Sequence, residues 1–157
     1  MCLKYVFFVI AVVTTFSAAN GMRVTFEDCV TGEKMVSINY AEIKPCNEEP
    51  CIVHSGQDAT VMINFDAIQD AATLTASVFV VNEGRFYPFP LGMPNACENA
   101  GLTCPMTAGT TYTYEETVTV PMYARKMAVT LAFKLQNGKD EDYLCAMAPV
   151  ILSGKKV

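Results

Sequence analysis

The segment Met127–Leu135 reads MAVTLAFKL and alternates apolar side chains with smaller or polar ones. The apolar side chains occupy every second position, at Met127, Val129, Leu131, Phe133 and Leu135. A period of two is typical of a β-strand that packs one face against a core. Val61–Phe65 and Leu74–Val80 alternate in the same way. The sequence therefore predicts a protein built from half-buried strands.

Shorter strand candidates complete the set, at Arg23–Glu27, Met35–Ile43, Tyr112–Val120 and Leu144–Ile151. Within the second candidate the apolar positions up to Tyr40 are out of phase with Ile43, which predicts a β-bulge or a strand end. Asp66–Asp70 is a longer connection with room for one helical turn, and Asn137-Gly138 is a hairpin signal. About seven short strands with turn signals between them predict an all-β protein, a two-sheet antiparallel sandwich.

Phe86–Pro105 interrupts the strand pattern. It contains three aromatic residues and four prolines, and Cys97 and Cys104 lie at its end. Each proline removes a backbone donor and disfavours α geometry at the preceding residue, which excludes a helix or a central strand. Long loops in small domains are usually functional or disordered, and cysteines and aromatic residues argue against disorder. We expect a long ordered loop that carries apolar side chains.

Met1–Ala19 has the pattern of a secretory signal peptide. Lys4 supplies the positive start, Tyr5–Val13 is an unbroken apolar run, and small residues precede Ala19. The run is too short for a membrane anchor, because a helix needs about twenty residues to cross a bilayer. We expect cleavage after Ala19, with Gly21 as the alternative, and one domain over residues 20–157.

Removal of this peptide changes the charge and the cysteine count. Of eleven basic residues Lys4 is lost, so ten face sixteen acidic ones and the net charge becomes −6. This balance argues against nucleic acid or an anionic membrane as an electrostatic partner. Six of the seven cysteines remain, and an even number in a secreted chain predicts disulfides. Spacing favours the pairs Cys46–Cys51, Cys97–Cys104 and Cys29–Cys145.

The chain offers few groups for catalysis. His54 is the single histidine and lies close to Cys51, and the serines lack the glycines of a nucleophile elbow. Glu115 and Glu116 are neighbours on a predicted strand, so their side chains point to opposite faces. A zinc site lacks a Cys-x-x-Cys pair, and Asp140–Asp142 is most simply a solvated cluster, with calcium as the alternative. We expect no enzyme, no metal and no cofactor.

The segment GLTCPM at Gly101–Met106, followed by Gly109 and by YTY at Tyr112–Tyr114, resembles part of the ML lipid-recognition domain family. The resemblance is to the branch of Niemann-Pick type C sterol-binding secreted proteins and their arthropod relatives, including group-two mite allergens. Further matches, in chain order, are Phe26–Cys29, Pro45-Cys46, Pro50-Cys51, Pro88–Pro90 and Cys145 with Pro149-Val150. The resemblance implies an immunoglobulin-like β-sandwich with an internal hydrophobic pocket and the same three disulfides.

The resemblance also implies where a lipid would bind. The pocket mouth matches Ile43, Phe89 and Val120, with Tyr123 one residue ahead of a tyrosine position of the branch. Inward strand positions of the family match Val129, Leu131 and Phe133, and the alternating pattern adds Phe65. The chain has no tryptophan, whereas the branch has two at strand positions near the C-terminus. The expected ligand is therefore a sterol, a fatty acid or another apolar lipid.

These observations lead to the hypothesis of a secreted, monomeric lipid-binding or lipid-transfer protein. One alternative is an innate-immunity protein that presents microbial lipid to a membrane receptor, with a candidate basic rim at Lys44, Arg85, Arg125 and Lys126. Another is an extracellular carrier of semiochemicals. The sequence has no Asn-x-Ser or Asn-x-Thr sequon, which favours extracellular fluid over the lysosome because lysosomal relatives travel by a tag on N-glycans.

Overall fold

The computed structural model describes residues 20–91, 94–98, 100–122 and 125–154. The expected signal peptide and Tyr123 lie outside these residues. The described part of the chain forms ten strands: β1 (Met22–Val24), β2 (Glu27–Asp28), β3 (Val36–Lys44), β4 (Cys51–His54), β5 (Asp58–Ala67), β6 (Leu74–Asn82), β7 (Arg85–Phe89), β8 (Thr111–Thr119), β9 (Met127–Asn137) and β10 (Asp142–Ser153).

The strands form two sheets. One has four strands in the order β1-β3-β5-β8, and the other has the order β2-β10-β9-β6-β7, with β4 also paired to β10. Neighbouring strands are antiparallel except β4 and β10, which run parallel. The apolar faces of both sheets contribute to one buried core. The predicted all-β, two-sheet sandwich is confirmed.

Alternation along the strands produces this core. On β5, the side chains of Ala59, Val61, Ile63 and Phe65 are buried, and the residues between them are less so. The phase change expected in β3 is a β-bulge, because the register with β5 shifts between Ile38 and Tyr40. Beyond the bulge Ile43 is buried, whereas Tyr40 faces outward with the Arg23 guanidinium 4.1 Å from its ring centre.

One local prediction was wrong, and the helical turn for which one connection had room is not formed. Arg23–Glu27 is not one strand, because Met22–Val24 pairs with β3 whereas Glu27–Asp28 pairs with β10 of the other sheet. Asp66–Asp70 contains no helical turn, because β5 continues to Ala67 and the following residues form bends. Strand β4 was not predicted, since its four residues are too few for a recognisable alternation.

The prediction of a loop throughout Phe86–Pro105 was wrong for its first part. Arg85–Phe89 is strand β7 at the edge of the larger sheet, where it pairs only with β6. A two-residue turn with positive φ at Glu83 (49°) and Gly84 (74°) joins β6 to β7, which is the geometry that tight hairpins favour. Proline is compatible with an edge strand, because one side of the strand has no partner.

The disulfides Cys29–Cys145, Cys46–Cys51 and Cys97–Cys104 are present as predicted. The first joins the start of the domain to the first half of β10, where the Cys29 N–H also donates to the Cys145 carbonyl oxygen at 3.1 Å. Three disulfides are typical of a chain that folds in an oxidising compartment such as the secretory pathway. In the described part of the chain no helix is long and apolar enough to cross a membrane.

Candidate apolar ligand site

The two sheets enclose an apolar cavity of about 160 Å³ in one half of the sandwich. Both sheets and the segment after β8 contribute to its wall. All the lining residues are apolar: Ile43, Val53, Ala59, Val61, Val78, Val80, Phe89, Val118, Val120, Pro121, Leu131 and Leu152. Small side chains, valine and alanine, make up more than half of this wall. The cavity therefore exists because short side chains from facing sheets do not meet in the middle.

The mouth of the cavity lies between the free edges of the two sheets. Strand β8 ends the smaller sheet and β7 ends the larger one. Phe89, Val118 and Pro121 line both the cavity and an outer groove of about 430 Å³ that runs between these edges. Pro90 and Leu91 form one side of the groove, together with Phe89. Of the prolines and aromatic residues singled out in Phe86–Pro105, Phe89 and Pro90 thus stand at the entrance to the interior.

The other half of the sandwich is filled. The Phe65 ring lies 6.5 Å from the ring of Tyr143 in an edge-on arrangement and 6.0 Å from that of Tyr112. The Tyr143 hydroxyl donates to the Gln69 carbonyl oxygen at 2.6 Å, and burial raises the pKa of Tyr143 to about 12. Large side chains from the two sheets therefore meet in this half.

One carboxylate lies near the boundary between the two halves. The Tyr114 hydroxyl donates to Glu116 Oε2 at 3.2 Å. Burial raises the pKa of the Tyr114 hydroxyl, and the negative charge of Glu116 raises it further. The raised pKa keeps the Tyr114 hydroxyl protonated. Its hydrogen bond to Glu116 therefore has a structural role, and the hydroxyl is not an activated nucleophile. The described residues that line the cavity include no titratable group, so this wall can enclose an apolar molecule and supplies no acid or base.

The structure brings together four of the residues expected to contact lipid, Ile43, Phe89, Val120 and Leu131. The other three described ones, Phe65, Val129 and Phe133, are buried in the core and do not line the cavity. Sequence reasoning missed several lining residues, namely Val53, Ala59, Val78, Val80, Val118, Pro121 and Leu152, and treated Val61 only as core. Most of them have the inward phase of an alternating strand, and this phase does not distinguish the cavity wall from filled core.

The basic residues considered as a rim do not surround the mouth. Lys44 bonds with Glu42 at 3.3 Å, and neither it nor Arg85, Arg125 or Lys126 lines the cavity or the groove. Over the described ranges, no group of three or more His, Cys, Asp or Glu side chains is arranged to hold a metal ion. The basic and acidic side chains that the structure describes therefore do not form a phosphate or cation site at the entrance.

The fold and the site define a disulfide-bonded β-sandwich with an apolar cavity that opens between its sheet edges. Comparison with known proteins agrees with this class. The family model described as "ML domain" matches residues 23–152. The chain belongs to the ML domain family, whose members are non-enzymatic lipid binders, and the resemblance inferred from the motifs is confirmed.

Individual relatives lie at moderate identity. The mouse protein "NPC intracellular cholesterol transporter 2" is 29% identical over 134 residues, which is 85% of this chain and 88% of the relative. The mite group 2 allergen of Lepidoglyphus destructor is 25% identical over 126 residues, 80% and 85% of the two chains. The crystal structure of a Niemann-Pick type C2 protein from the Japanese carpenter ant superposes with a TM-score of 0.74 at 26% identity, covering 82% of this chain and 99% of the other.

Proposed function

We propose that this protein binds an apolar lipid in the cavity between its sheets and carries it through extracellular fluid. The observation that supports this proposal is a cavity whose described lining residues are all apolar and whose mouth is bordered by Phe89 and Pro121. Apolar cavities stay dry and bind apolar molecules. No bond is made or broken, so the chain needs no catalytic group.

The driving force is removal of the lipid from water. Burial of apolar surface contributes roughly 25 cal/mol per Å². Part of this gain is offset by the loss of translational freedom and by ordering of the side chains at the mouth. A lipid with a long apolar part therefore binds more tightly than a short one, up to the length that the cavity can accept.

The size of the cavity bears on how a lipid would bind. Its volume of about 160 Å³ is close to that of an engineered cavity of about 150 Å³ that binds benzene. Pockets for drug-sized molecules span about 300–1,000 Å³. A sterol or an acyl chain must therefore widen the cavity, extend into the groove, or both. The valines at the wall and Phe89 at the mouth are the side chains whose displacement would enlarge it.

Two observations guide the choice of ligand and of compartment. The name of the mouse relative refers to cholesterol, which supports a sterol as the first ligand to test. A fatty acid is the second, because the tryptophans of the sterol-binding branch are replaced here by Phe133 and Ala146. The three disulfides support folding in the secretory pathway, and the pattern of Met1–Ala19 supports export.

The direct test is to titrate the delipidated, folded protein with a fluorescent sterol and with a fluorescent fatty acid. We expect saturable binding of at least one of them, with a blue-shifted emission that reports an apolar environment. Circular dichroism and the retained disulfides establish that the protein is folded. A folded protein that binds neither probe contradicts the proposal.

A substitution at the mouth tests the site itself. We expect Phe89→Ala to weaken lipid binding by about tenfold, equivalent to about 1.4 kcal/mol, with little change in stability. The matched control is Phe79→Ala on the same sheet, because the Phe79 ring packs against Phe86 at 5.9 Å and does not line the cavity. If both variants bind lipid as the wild type does, Phe89 is not part of the lipid site.

A further inference from the structure

We propose that the free backbone edge of β8 at Thr117 and Thr119 is a headgroup site that selects a lipid with an uncharged hydroxyl over one with an anionic group. This inference rests on the proposed function, because it requires the apolar part of the lipid to lie in the cavity. The backbone groups on the two strand edges that border the groove point in directions that support it.

Strand β8 directs alternate backbone groups away from β5. The Glu115 N–H donates to the Ala100 carbonyl oxygen at 2.9 Å, so at Glu115 the backbone N–H points away from β5. Alternate residues of a strand direct their N–H and C=O groups to the same side. Thr117 and Thr119 therefore direct N–H and C=O groups towards the open edge. Among the described residues, no backbone hydrogen bond is made by the N–H of either threonine.

The threonine side chains do not occupy this edge. Thr117 Oγ1 bonds with Thr60 Oγ1 at 2.8 Å, and Thr119 Oγ1 donates to Asp58 Oδ1 at 2.6 Å. Both bonds run across the strand pair to β5. Thr117 and Thr119 therefore present their backbone N–H donors and C=O acceptors to the groove.

The facing edge, that of β7, lacks backbone donors at Pro88 and Pro90, next to the groove. Asn82 and Arg85 close the two-residue turn, so Arg85, Tyr87 and Phe89 bond with β6, and Phe86 and Pro88 direct their backbone groups outward. Pro88 has no N–H, and neither has Pro90, which lines the groove. At Pro88 and Pro90 the edge therefore has carbonyl acceptors without N–H donors, so these two residues cannot donate a ladder hydrogen bond to β8.

The groove is continuous with the cavity, which is what identifies its occupant. Phe89, Val118 and Pro121 belong to the walls of both. A lipid whose apolar part enters the cavity past these residues leaves its polar end beside the Thr117 and Thr119 amides. Apolar side chains border the rest of the groove, so the backbone edge is the main polar surface that such a headgroup would meet.

The character of the two edges favours a hydroxyl. A hydroxyl donates one hydrogen bond and accepts others, so it can satisfy an amide of β8 and a carbonyl of either edge together. A carboxylate or a phosphate only accepts, and charged lysine or arginine side chains are missing from the described lining of the groove. Glu116, the neighbour of Thr117, and Asp58, the partner of Thr119, place negative charge close to this position. An anionic headgroup would be repelled there without compensation.

The test compares lipids that differ only at the headgroup. Delipidated protein is titrated with hexadecanol and with hexadecanoate at about pH 8, where the carboxylate is ionised, by displacement of the fluorescent probe N-phenylnaphthylamine. Cholesterol forms a second arm, which separates a sterol hydroxyl from that of a fatty alcohol. We expect hexadecanol, cholesterol or both to bind about tenfold more tightly than hexadecanoate. Equal affinities, or tighter binding of hexadecanoate, overturn the inference and leave the proposed function intact.

Variants then locate the headgroup. Thr117→Pro removes the outward N–H at a position where an edge strand tolerates proline, and Thr117→Val is the control that removes the hydroxyl and keeps the N–H. We expect Thr117→Pro to reduce affinity for the alcohol by about tenfold and to leave hexadecanoate unchanged, with no effect of Thr117→Val. If Thr117→Pro does not fold, Glu116→Gln is used. This variant should reduce the ratio of the affinity for hexadecanol to the affinity for hexadecanoate. A preference that neither variant alters contradicts the site, and a folded wild type that displaces no probe contradicts the proposed function instead.

Discussion

The two halves of the sandwich share the same strands but differ in the size of their inward side chains. On β5, Phe65 points into the filled half, where it packs against Tyr143, whereas Ala59 and Val61 line the cavity. All three side chains have the same inward phase and are buried. The comparison shows that alternation determines which residues face the interior, and that side-chain volume determines which part of the interior stays empty.

The edges of the sheets differ between the same two halves. In the filled half, described residues between β7 and β8 bond to both sheets and form a crossing segment, 94–98 and 100–104. Its Ala96 N–H donates to the Leu74 carbonyl oxygen on β6, its Ala100 carbonyl accepts from Glu115 on β8, and the Cys97–Cys104 bond closes it. Beside the cavity no such bridge is made by the described residues, and a groove separates Phe89 from Thr117. The cavity therefore opens between the parts of the sheet edges that the crossing segment does not bridge.

Truncation of a large side chain should separate the halves most clearly. We expect Phe65→Ala to lower the free energy of unfolding by about 3–5 kcal/mol, because a cavity forms in tightly packed surroundings. Val61→Ala, on the same strand, should cost about 1–2 kcal/mol, because it removes fewer buried groups and borders space that is already empty. Denaturant unfolding at equilibrium measures both values. Similar losses for the two variants would mean that the halves are packed equally well.

Enlarging a small side chain should destabilise the filled half but not the half that contains the cavity. Ala76→Leu, at a buried position of β6 that does not line the cavity, should lower the free energy of unfolding by about 1–3 kcal/mol through overpacking. Ala59→Leu places the same groups into the cavity and should leave stability unchanged or raise it by about 0.5–2 kcal/mol. The same unfolding experiment reports both. An equal penalty at the two sites would contradict an empty cavity in the native protein.

A smaller effect of pH should come from the filled half. The pKa of Tyr143 is about 12 in the folded protein against 10.0 for the free side chain, because burial disfavours the tyrosinate. A raised pKa means that stability is complete below about pH 10 and falls as the pH rises towards 12. Tyr143 alone should account for a loss of about 1 kcal/mol at about pH 11. Unfolding measured on either side of pH 10, with Tyr143→Phe as the comparison, tests this; an identical pH dependence in the variant would contradict it.

The sequence was sufficient for the features that depend on local pattern. Long alternation of apolar residues identified β5, β6 and β9. The bulge in β3 was predicted because the apolar positions up to Tyr40 are out of phase with Ile43. Cysteine spacing identified all three disulfides. Strand β7 was missed because Pro88 argues against a central strand, and the pattern contains no information on which strands lie at an edge. Whether a proline lies at an edge depends on the order of strands in the sheet.

The site could be predicted only in part for a related reason. Family resemblance led to Phe89 and Val120, whose positions follow recognisable motifs, and both line the cavity. Phe133 and Leu131 lie on the same strand with the same phase, yet only Leu131 reaches the cavity. The difference depends on what stands opposite each residue on the other sheet. The packing of one sheet over the other is not encoded in the pattern of a single strand.

The central claim is that an apolar ligand occupies the cavity, and Ala59→Leu tests it most directly. The leucine side chain of this variant occupies the cavity without disturbing the packing of the two sheets. Ala76→Leu is the matched control. Both are titrated with the sterol or fatty acid that binds the wild type, after the folded fraction has been measured. We predict that Ala59→Leu remains folded and loses at least about tenfold in affinity, whereas folded Ala76→Leu binds as the wild type does. Unchanged affinity in a folded Ala59→Leu variant would show that the ligand binds elsewhere.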